Sequence, residues 1–403
     1  MSEIKPFRAI RPDQDLVAEI ASPPYDVLDR QEVAALIERA PKSFMRVLRA
    51  EVLLDESLDA KDQRIYDEAK KQLAAMMEAR SMVRDEAPSF YLYEQQMGAH
   101  TQVGVVAAAS ANEYFAGLIK KHEHTRTKDL DGRMRHIETL GVNAGPVFLT
   151  YEARPEIDAL VQELSATDPL YDFVAEDEVR HRFWVVQEEQ AIARLAAAFA
   201  QVSALYIADG HHRTEAGCQV AKKHAGDNAH VMAVIFPHDQ VQILAYNRVV
   251  HGLNGLSTEA FLAKVGEVFE IQEGAQAEPK EPASFGMFVG GKWYQLKAKP
   301  ESYDANDRQA ALDVAILQNN LLAPILGIHD PKGDQRIEFV GGIRGARELE
   351  RRATAHEGVG FYCYPTQMKQ VMEISDAGEV MPPKSTWFEP KLRSGLFVRS
   401  IDD

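Results

Sequence analysis

The sequence predicts an α+β (α/β) protein built as two lobes. Three observations carry that expectation. Apolar strand-like runs alternate with helical patterns between Phe90 and Tyr246, as in domains that pack helices on a sheet. Further along, Gly290-Gly291 separates two strand-like runs, and a two-residue glycine turn suits the twist of paired strands. The chain has 403 residues, more than a single hydrophobic core usually organises.

Taken in order, Ser22-Pro23-Pro24-Tyr25-Asp26 reads as a rigid extended segment, because each proline fixes its own φ and restricts its predecessor. Arg30–Ala40 reads as a helix. Leu58–Arg80 reads as a longer one with Ile65, Ala69, Leu73 and Met76 on one face. Phe90–Tyr93 and Val103–Ala109 read as strands around a turn at Gly98, Tyr114–Lys120 as strand or loop, and Asp131–Leu140 as a helix ending near Gly141. Pro146–Tyr151 is a short buried strand. An Ala-rich helix over Gln187–Val202 leads into the apolar strand Ala204–Ala208, then a helix over Thr214–His224 and strands over Val231–Phe236 and Val241–Tyr246. The second lobe is expected from Leu256. It holds the hairpin Phe285–Val289 with Lys292–Leu296, a helix over Arg308–Ile325, strands near Ile337–Val340 and Val359–Tyr364, and a Pro-rich loop, Met381–Thr386. The expected domains are therefore 1–255 and 256–403, with the tail loop returning to the site of the first.

The chain carries 61 acidic and 45 basic side chains, a formal net charge of −16. That balance disfavours a protein that coats nucleic acid or an anionic membrane through its whole surface. Two cysteines, Cys218 and Cys363, with no CxxC spacing, exclude a disulfide scaffold or zinc ribbon and point to a reducing compartment. The first residues hold no apolar run of signal-peptide type. A cytoplasmic protein is expected.

The strongest chemical signal is Tyr206 to Arg213. An apolar strand turns through Asp209-Gly210 into a helix whose start carries His211, His212 and Arg213. Helix N-termini offer unpaired N–H groups and partial positive charge, which suit a phosphate or carboxylate. Gly210 can take a positive φ, Arg213 offers a bidentate fork, and Asp209 can hold Mg²⁺ or take a proton. The plain alternative is a capping Asp followed by surface histidines.

A second signal is Lys120-Lys121-His122-Glu123-His124-Thr125, continuing to Arg126, Lys128, Arg133, Arg135 and His136. From Ala116 to His136 six Lys/Arg stand against three Asp/Glu, a local excess of positive charge expected to face Asp209–Arg213. The His-x-His pair can chelate Zn²⁺ or Fe²⁺ with His211 or His212, but so many fixed cations favour phosphate; a solvated basic loop is the plain alternative. Asp26, Arg248 at the end of a strand, and Lys384 with Ser385 complete the candidates. Among signatures absent are a GxxxxGK[ST] loop, GxGxxG after a strand, GxSxG and HExxH.

The strand, Ala208-Asp209-Gly210-His211-His212-Arg213 and the following helix resemble the signature of the ParB/sulfiredoxin superfamily, whose strand–turn–helix cradles nucleotide phosphates in a mixed-sheet core. The Asp-Gly-His-x-Arg form is most similar to the free serine kinases of that superfamily, with His212 here in place of their usual Thr. Over nearly its whole length the chain also resembles domain-of-unknown-function family 1015, through Pro23-Pro24-Tyr25-Asp26, His122-Glu123-His124-Thr125 with Arg133, Asp209–Arg213, Arg248 and Met381-Pro382-Pro383-Lys384-Ser385-Thr386. The resemblance implies Mg²⁺ and a nucleotide, ADP or ATP, as cofactors.

The resulting expectation is a Mg²⁺-dependent phosphotransferase on a small hydroxyl metabolite, serine or phosphoserine first. Asp209, His211, His212, Asp26 and His124 are the expected catalytic residues, with Asp209 on the metal. Gly210, Arg213, Lys121, His122, Arg133, Arg248, Lys384 and Ser385 are expected to bind the phosphorylated ligand. The alternative is a regulatory protein that binds a nucleotide or phosphometabolite without turnover. A DNA-binding factor fits poorly, since the basic cluster is short.

Overall fold

The structure, a computed structural model, describes residues 2–125, 127–274 and 276–403, and for 127–129 the backbone alone. The chain divides into two compact units, Met1–Val241 with Pro390–Asp403, and Gln242–Glu389. The strand that carries Arg248 thus belongs to the second unit, and the end of the tail belongs to the first.

The first unit is built on a nine-stranded mixed sheet. Its strands are β1 (Ile4–Lys5), β2 (Phe90–Met97), β3 (His100–Ser110), β4 (Ile119–Lys120), β5 (Val147–Tyr151), β6 (Tyr171–Val174), β7 (Arg180–Val186), β8 (Leu205–Asp209) and β9 (His230–Pro237). They lie in the order β4-β8-β5-β9-β3-β2-β7-β6, with β1 against β3. Two pairings are parallel, β4 with β8 and β5 with β9. Strands β5, β8 and β9 are near-continuous apolar runs, the composition of strands covered on both faces. Leu149, Leu205, Ile207, Ala233 and Ile235 are buried in one core with Phe199, Leu195 and Cys218 from the covering helices.

The helices of this unit follow local signals. Helix α1 (Arg30–Arg39) opens on a capping box between Asp29 and Glu32. Helix α2 (Gln63–Glu78) buries Ile65, Ala69, Leu73 and Met76 as its spacing predicts. It starts later than the sequence indicates, because the Asp62 side chain accepts from the Arg64 N–H and fixes the first turn there. Helix α3 spans Thr127–Leu140, α4 Pro155–Leu164, α5 Glu189–Phe199 and α6 His211–Ala225. In the stretch read as strand or loop over Tyr114–Lys120, the first two residues end a short helix, Ala111–Phe115, and a turn then leads into β4. A separate apolar cluster joins Phe44, Val47, Ala69, Leu73 and Leu140 to Val398 of the tail.

The second unit is built on a six-stranded antiparallel sheet of β10 (Tyr246–Val250), β11 (Phe269–Glu273), β12 (Ser284–Val289), β13 (Lys292–Ala298), β14 (Ile337–Gly341) and β15 (Val359–Cys363). The order is β11-β13-β12-β15-β10-β14. Gly290 and Gly291, at φ +59° and +79°, close the β12–β13 hairpin as a turn that needs positive φ at both positions. Thr258–Val268 and Gly345–Ala355 are its longer helices, α7 and α8. The helix expected over Arg308–Ile325 is confined to Asp313–Leu317 and a wider-wound turn, Gln318–Leu322. The expected strand over Val241–Tyr246 is two pieces, Gln242–Leu244 and β10, broken at Ala245.

Candidate functional site

The site is assembled where β8 ends. Its apolar run delivers Asp209 to the edge of the core, and Gly210 then turns the chain at φ +88°, ψ +35° into α6. The turn favours glycine twice over. The left-handed region penalises a Cβ, and a Cβ at Gly210 would stand 2.9 Å from Nε of Arg213. Helix α6 begins at His211, so His211, His212 and Arg213 form its first turn, as the motif predicts, three residues ahead of the span read from Thr214.

Arg213 donates from Nη1 to the Pro146 carbonyl at 2.9 Å and from Nη2 to Oδ2 of Asp209 at 3.2 Å. Its Nε is buried with no hydrogen-bond partner, although the side chain is only 10% exposed. A buried donor left unmatched is costly, and here it lies beside the helix N-terminus. Lys391, from the returning tail, places Nζ 3.6 Å from the same Asp209 oxygen. Burial alone would raise the Asp209 carboxyl; Lys391 and Arg213 outweigh it and hold the group well below the usual carboxylate range. Asp209 is therefore a fixed negative charge rather than a proton store.

The parallel pairing of β4 with β8 carries the basic stretch to this turn, with Tyr206 opposite Lys120. The His122 N–H donates to Nε2 of His211 at 3.4 Å, and the two rings meet edge to face at 4.4 Å. That bond assigns the His211 proton to Nδ1, which lies 3.9 Å from Oε2 of Glu123. Burial keeps both imidazoles neutral: His122 is pushed down to about 4, and His211 falls well below its ordinary value, chiefly through burial, with the adjacent His122 and His212 rings and the Lys121 ammonium adding to the effect. Arg133 on α3 is lowered to about 10 by burial and by Arg213, and its guanidinium lies 5.0 Å from the centre of the Tyr25 ring. The Pro-Pro-Tyr segment thereby joins the same neighbourhood. His212 is half-buried in the first turn.

Lys121 is exposed, with Nζ 5.5 Å from the Tyr114 ring centre. His124 and Asp26 are exposed. Among the described residues, the cradle brings no three His, Cys or carboxylate ligand atoms within 4.8 Å of one another. Arg126 lies outside the described residues, as does the Lys128 side chain. Arg248, Lys384 and Ser385 are all in the second unit. There Arg248 is buried and donates to the Tyr246 and Lys384 carbonyls, while Ser385 donates to the Pro382 carbonyl at 2.6 Å. Their polar groups hold the Pro-rich loop to β10. Cys218 is buried and its thiol is raised by burial, as a core residue would be.

Sequence reading places Lys391 only after a Pro-rich loop that could close over an anion, and gives Glu123 no role. Nothing local to Lys391 indicates a partner at Asp209. Glu123 is visible only as the acidic member of a basic run.

The family described as "protein of unknown function (DUF1015)" matches residues 4–315. No curated protein matches the chain. Among solved structures, a free serine kinase in complex with AMP is 17% identical, covering 71% of this chain and 86% of its own, with a TM-score of 0.33. SbnI from Staphylococcus aureus, with a C-terminal truncation, is 12% identical, covering 73% of this chain and 87% of its own, with a TM-score of 0.40. A conserved hypothetical protein from Pyrococcus furiosus is 16% identical, covering 74% and 96%, with a TM-score of 0.33. Scores this low carry no inference about the site, which stands on its own residues. Among the described residues no helix is long and apolar enough to cross a membrane.

Proposed function

The chain belongs to the DUF1015 family, and for this member we propose a Mg²⁺-dependent phosphotransferase that acts on a small hydroxyl metabolite. One observation carries the reading. Around a single helix N-terminus stand three cationic side chains, Arg213, Lys391 and Arg133, two neutral buried imidazoles, and a carboxylate locked in its ionised form. Phosphoryl transfer needs mainly positioning and neutralisation of charge on the moving group, and these residues supply both. Nucleotide and serine are the first ligands to try, because Asp209–Arg213 resembles the motif of the free serine kinases.

The His211 amide, the helix dipole and Nε of Arg213 would hold phosphate oxygens, while the Gly210 N–H is held by the Asp209 carboxylate. Arg133 and Lys391 would offset the remaining charge. Mg²⁺ takes one or two carboxylates together with substrate phosphates and water, and Asp209 with Glu123 fits that donor set. When bound, the ion would supply neutralisation of the charge that develops on the transferred group. As the bond from donor oxygen to phosphorus breaks and that from the acceptor hydroxyl forms, the hydroxyl proton needs an acceptor. Asp209, held far below neutrality, is a poor one. His211 is neutral, and Glu123 beside Nδ1 would stabilise an imidazolium against the burial that lowers this ring, once Nε2 gives up the His122 N–H.

Thermal-shift titration with nucleoside di- and triphosphates, phosphoserine and Mg²⁺, together with phosphorus NMR on serine mixtures, tests the reading. We expect ligand stabilisation and formation of phosphoserine. Asp209→Asn should slow turnover by ~10²–10³-fold, the usual effect of removing one such electrostatic contact. Stabilisation with no product over hours would leave a regulatory binding protein. No stabilisation by any phosphate compound would remove the cradle reading altogether.

A further inference from the structure

We propose that the second unit carries a divalent transition-metal site, Zn²⁺ being its first candidate, formed by His251, Glu338 and His356. His251 follows β10, Glu338 lies on β14, and His356 closes helix α8. Nε2 of His251 is 2.6 Å from Oε1 of Glu338, and Nε2 of His356 is 3.5 Å from the same oxygen. One ligand atom from each of the three residues lies within 4.8 Å of the others.

The backbone fixes these positions independently of the side chains. Val249 pairs with Glu338 in the β10–β14 ladder. The His251 N–H donates to the Arg336 carbonyl at 2.8 Å, and the Gly252 N–H donates to the His356 carbonyl at 3.2 Å. A Cβ at Gly358 would collide with the Val250 carbonyl, so glycine allows the His356 turn to close on β10. Three Cα positions are thus set by main-chain contacts, which is the preorganisation a metal site needs.

The two imidazole rings are stacked 3.7 Å apart at 15°. A single divalent ion would satisfy both Nε2 atoms and Oε1 together, at the roughly 2.0–2.2 Å bonds of zinc to nitrogen and oxygen. The side chain of His356 is 42% exposed, so its ring is free to fan away from its neighbour as the lone pairs converge, and solvent can reach a fourth position. Arg352 reaches the other oxygen of Glu338, with Nη1 2.5 Å from Oε2, while its Nε lies 2.6 Å from Glu348. That contact orients the carboxylate so that Oε1 faces the imidazoles, the supporting role that outer partners play around metal ligands. Two imidazoles and one carboxylate suit Zn²⁺ and its neighbours in the first transition row rather than Mg²⁺ or Ca²⁺.

The test uses the full chain stripped with chelator and titrated with Zn²⁺ by calorimetry, with Co²⁺ absorption as a second readout. One equivalent should bind. Glu338→Gln and the exposed His356→Gln should each weaken it by roughly 10²-fold, the upper end of what loss of an outer partner costs, with the metal-free melting temperature of His356→Gln unchanged. His211→Ala should bind Zn²⁺ as the parent does. Absence of stoichiometric binding in the parent would overturn the proposal. So would binding that survives His356→Gln, or binding lost in His211→Ala and kept in His356→Gln. None of these outcomes depends on the phosphate reading of the first unit.

Discussion

At Gly210 two independent constraints act on one atom. Alanine there would cost about 1–2 kcal/mol for the left-handed backbone alone, and its Cβ would press on Nε of Arg213, the donor that has no partner. Gly210→Ala should therefore lower unfolding free energy by about that amount, measured by denaturant titration. It should also abolish stabilisation by phosphate ligands. Lys391→Met makes the complementary case. Asp209 would keep Arg213 but lose its second cation, an ion pair at 3.6 Å. The affinity for a phosphate ligand, read by calorimetry, should fall by roughly 10-fold or more while the fold persists. An unchanged affinity would place Lys391 outside the site.

The element that positions all of this is the β8–α6 connection, and α6 can hold it only by lying close to the sheet. Gly217 on α6 makes that approach possible: a Cβ there would lie 2.7 Å from Cγ2 of Val231 on β9. Gly217→Ala gains about 1 kcal/mol of helix propensity but overpacks a buried contact, which costs about 1–3 kcal/mol. It should be neutral to destabilising alone. Paired with Val231→Ala, which clears the space, the combination should be more stable than the sum of the single changes, as a double-mutant cycle would show. The strand and turn of this element were legible in the sequence, because five apolar residues followed by Asp-Gly admit few other readings. The start of the helix was legible only from that turn, since His211-His212-Arg213 carries no apolar periodicity and the periodic span begins at Thr214. Strands β6 and β7 were not singled out, because Arg180 and Arg182 break the apolar pattern with side chains that pair with Asp172 and Glu94 across the sheet. The expected helix over Arg308–Ile325 fell short because its apolar residues serve tertiary packing: Leu312, Val314 and Ala315 meet Val371 and Ile374 of another helix. Lys391 shows the limit plainly. Its partner is far away in sequence, and only the folded tail brings them together.

Across the whole molecule the two units should respond oppositely to pH. His122 in the first unit is ordinarily near 6.5 and is pushed to about 4 by burial. Between those values the unfolded chain binds a proton that the folded chain does not, so stability falls as pH drops from about 6.5 to about 4, by roughly 3 kcal/mol for this ring. His211 and His181 are displaced in the same direction, again chiefly by burial. In the second unit burial raises Asp313 from 3.8 to about 7, against the pull of the Ala283 N–H. There the folded form keeps a proton that the unfolded chain releases, so stability declines as pH rises from about 4 to about 7. Hydrogen exchange at β8 and β12, compared at pH 5 and pH 7.5, should show the two sheets shifting in opposite senses, and Asp313→Asn should flatten the second trend. The tail adds a consequence of another kind. Val398 exchanges backbone hydrogen bonds with Ile10, Ser394 does so with Ser22, and Arg399 pairs with Asn143. All lie in the unit whose other residues are made before the second unit begins. On the ribosome, residues 242–389 are translated before the segment that supplies Lys391 emerges. The cradle can then reach its full charge complement only late in synthesis, so a nascent chain stalled in the second unit would carry Asp209 and Arg213 without a working site.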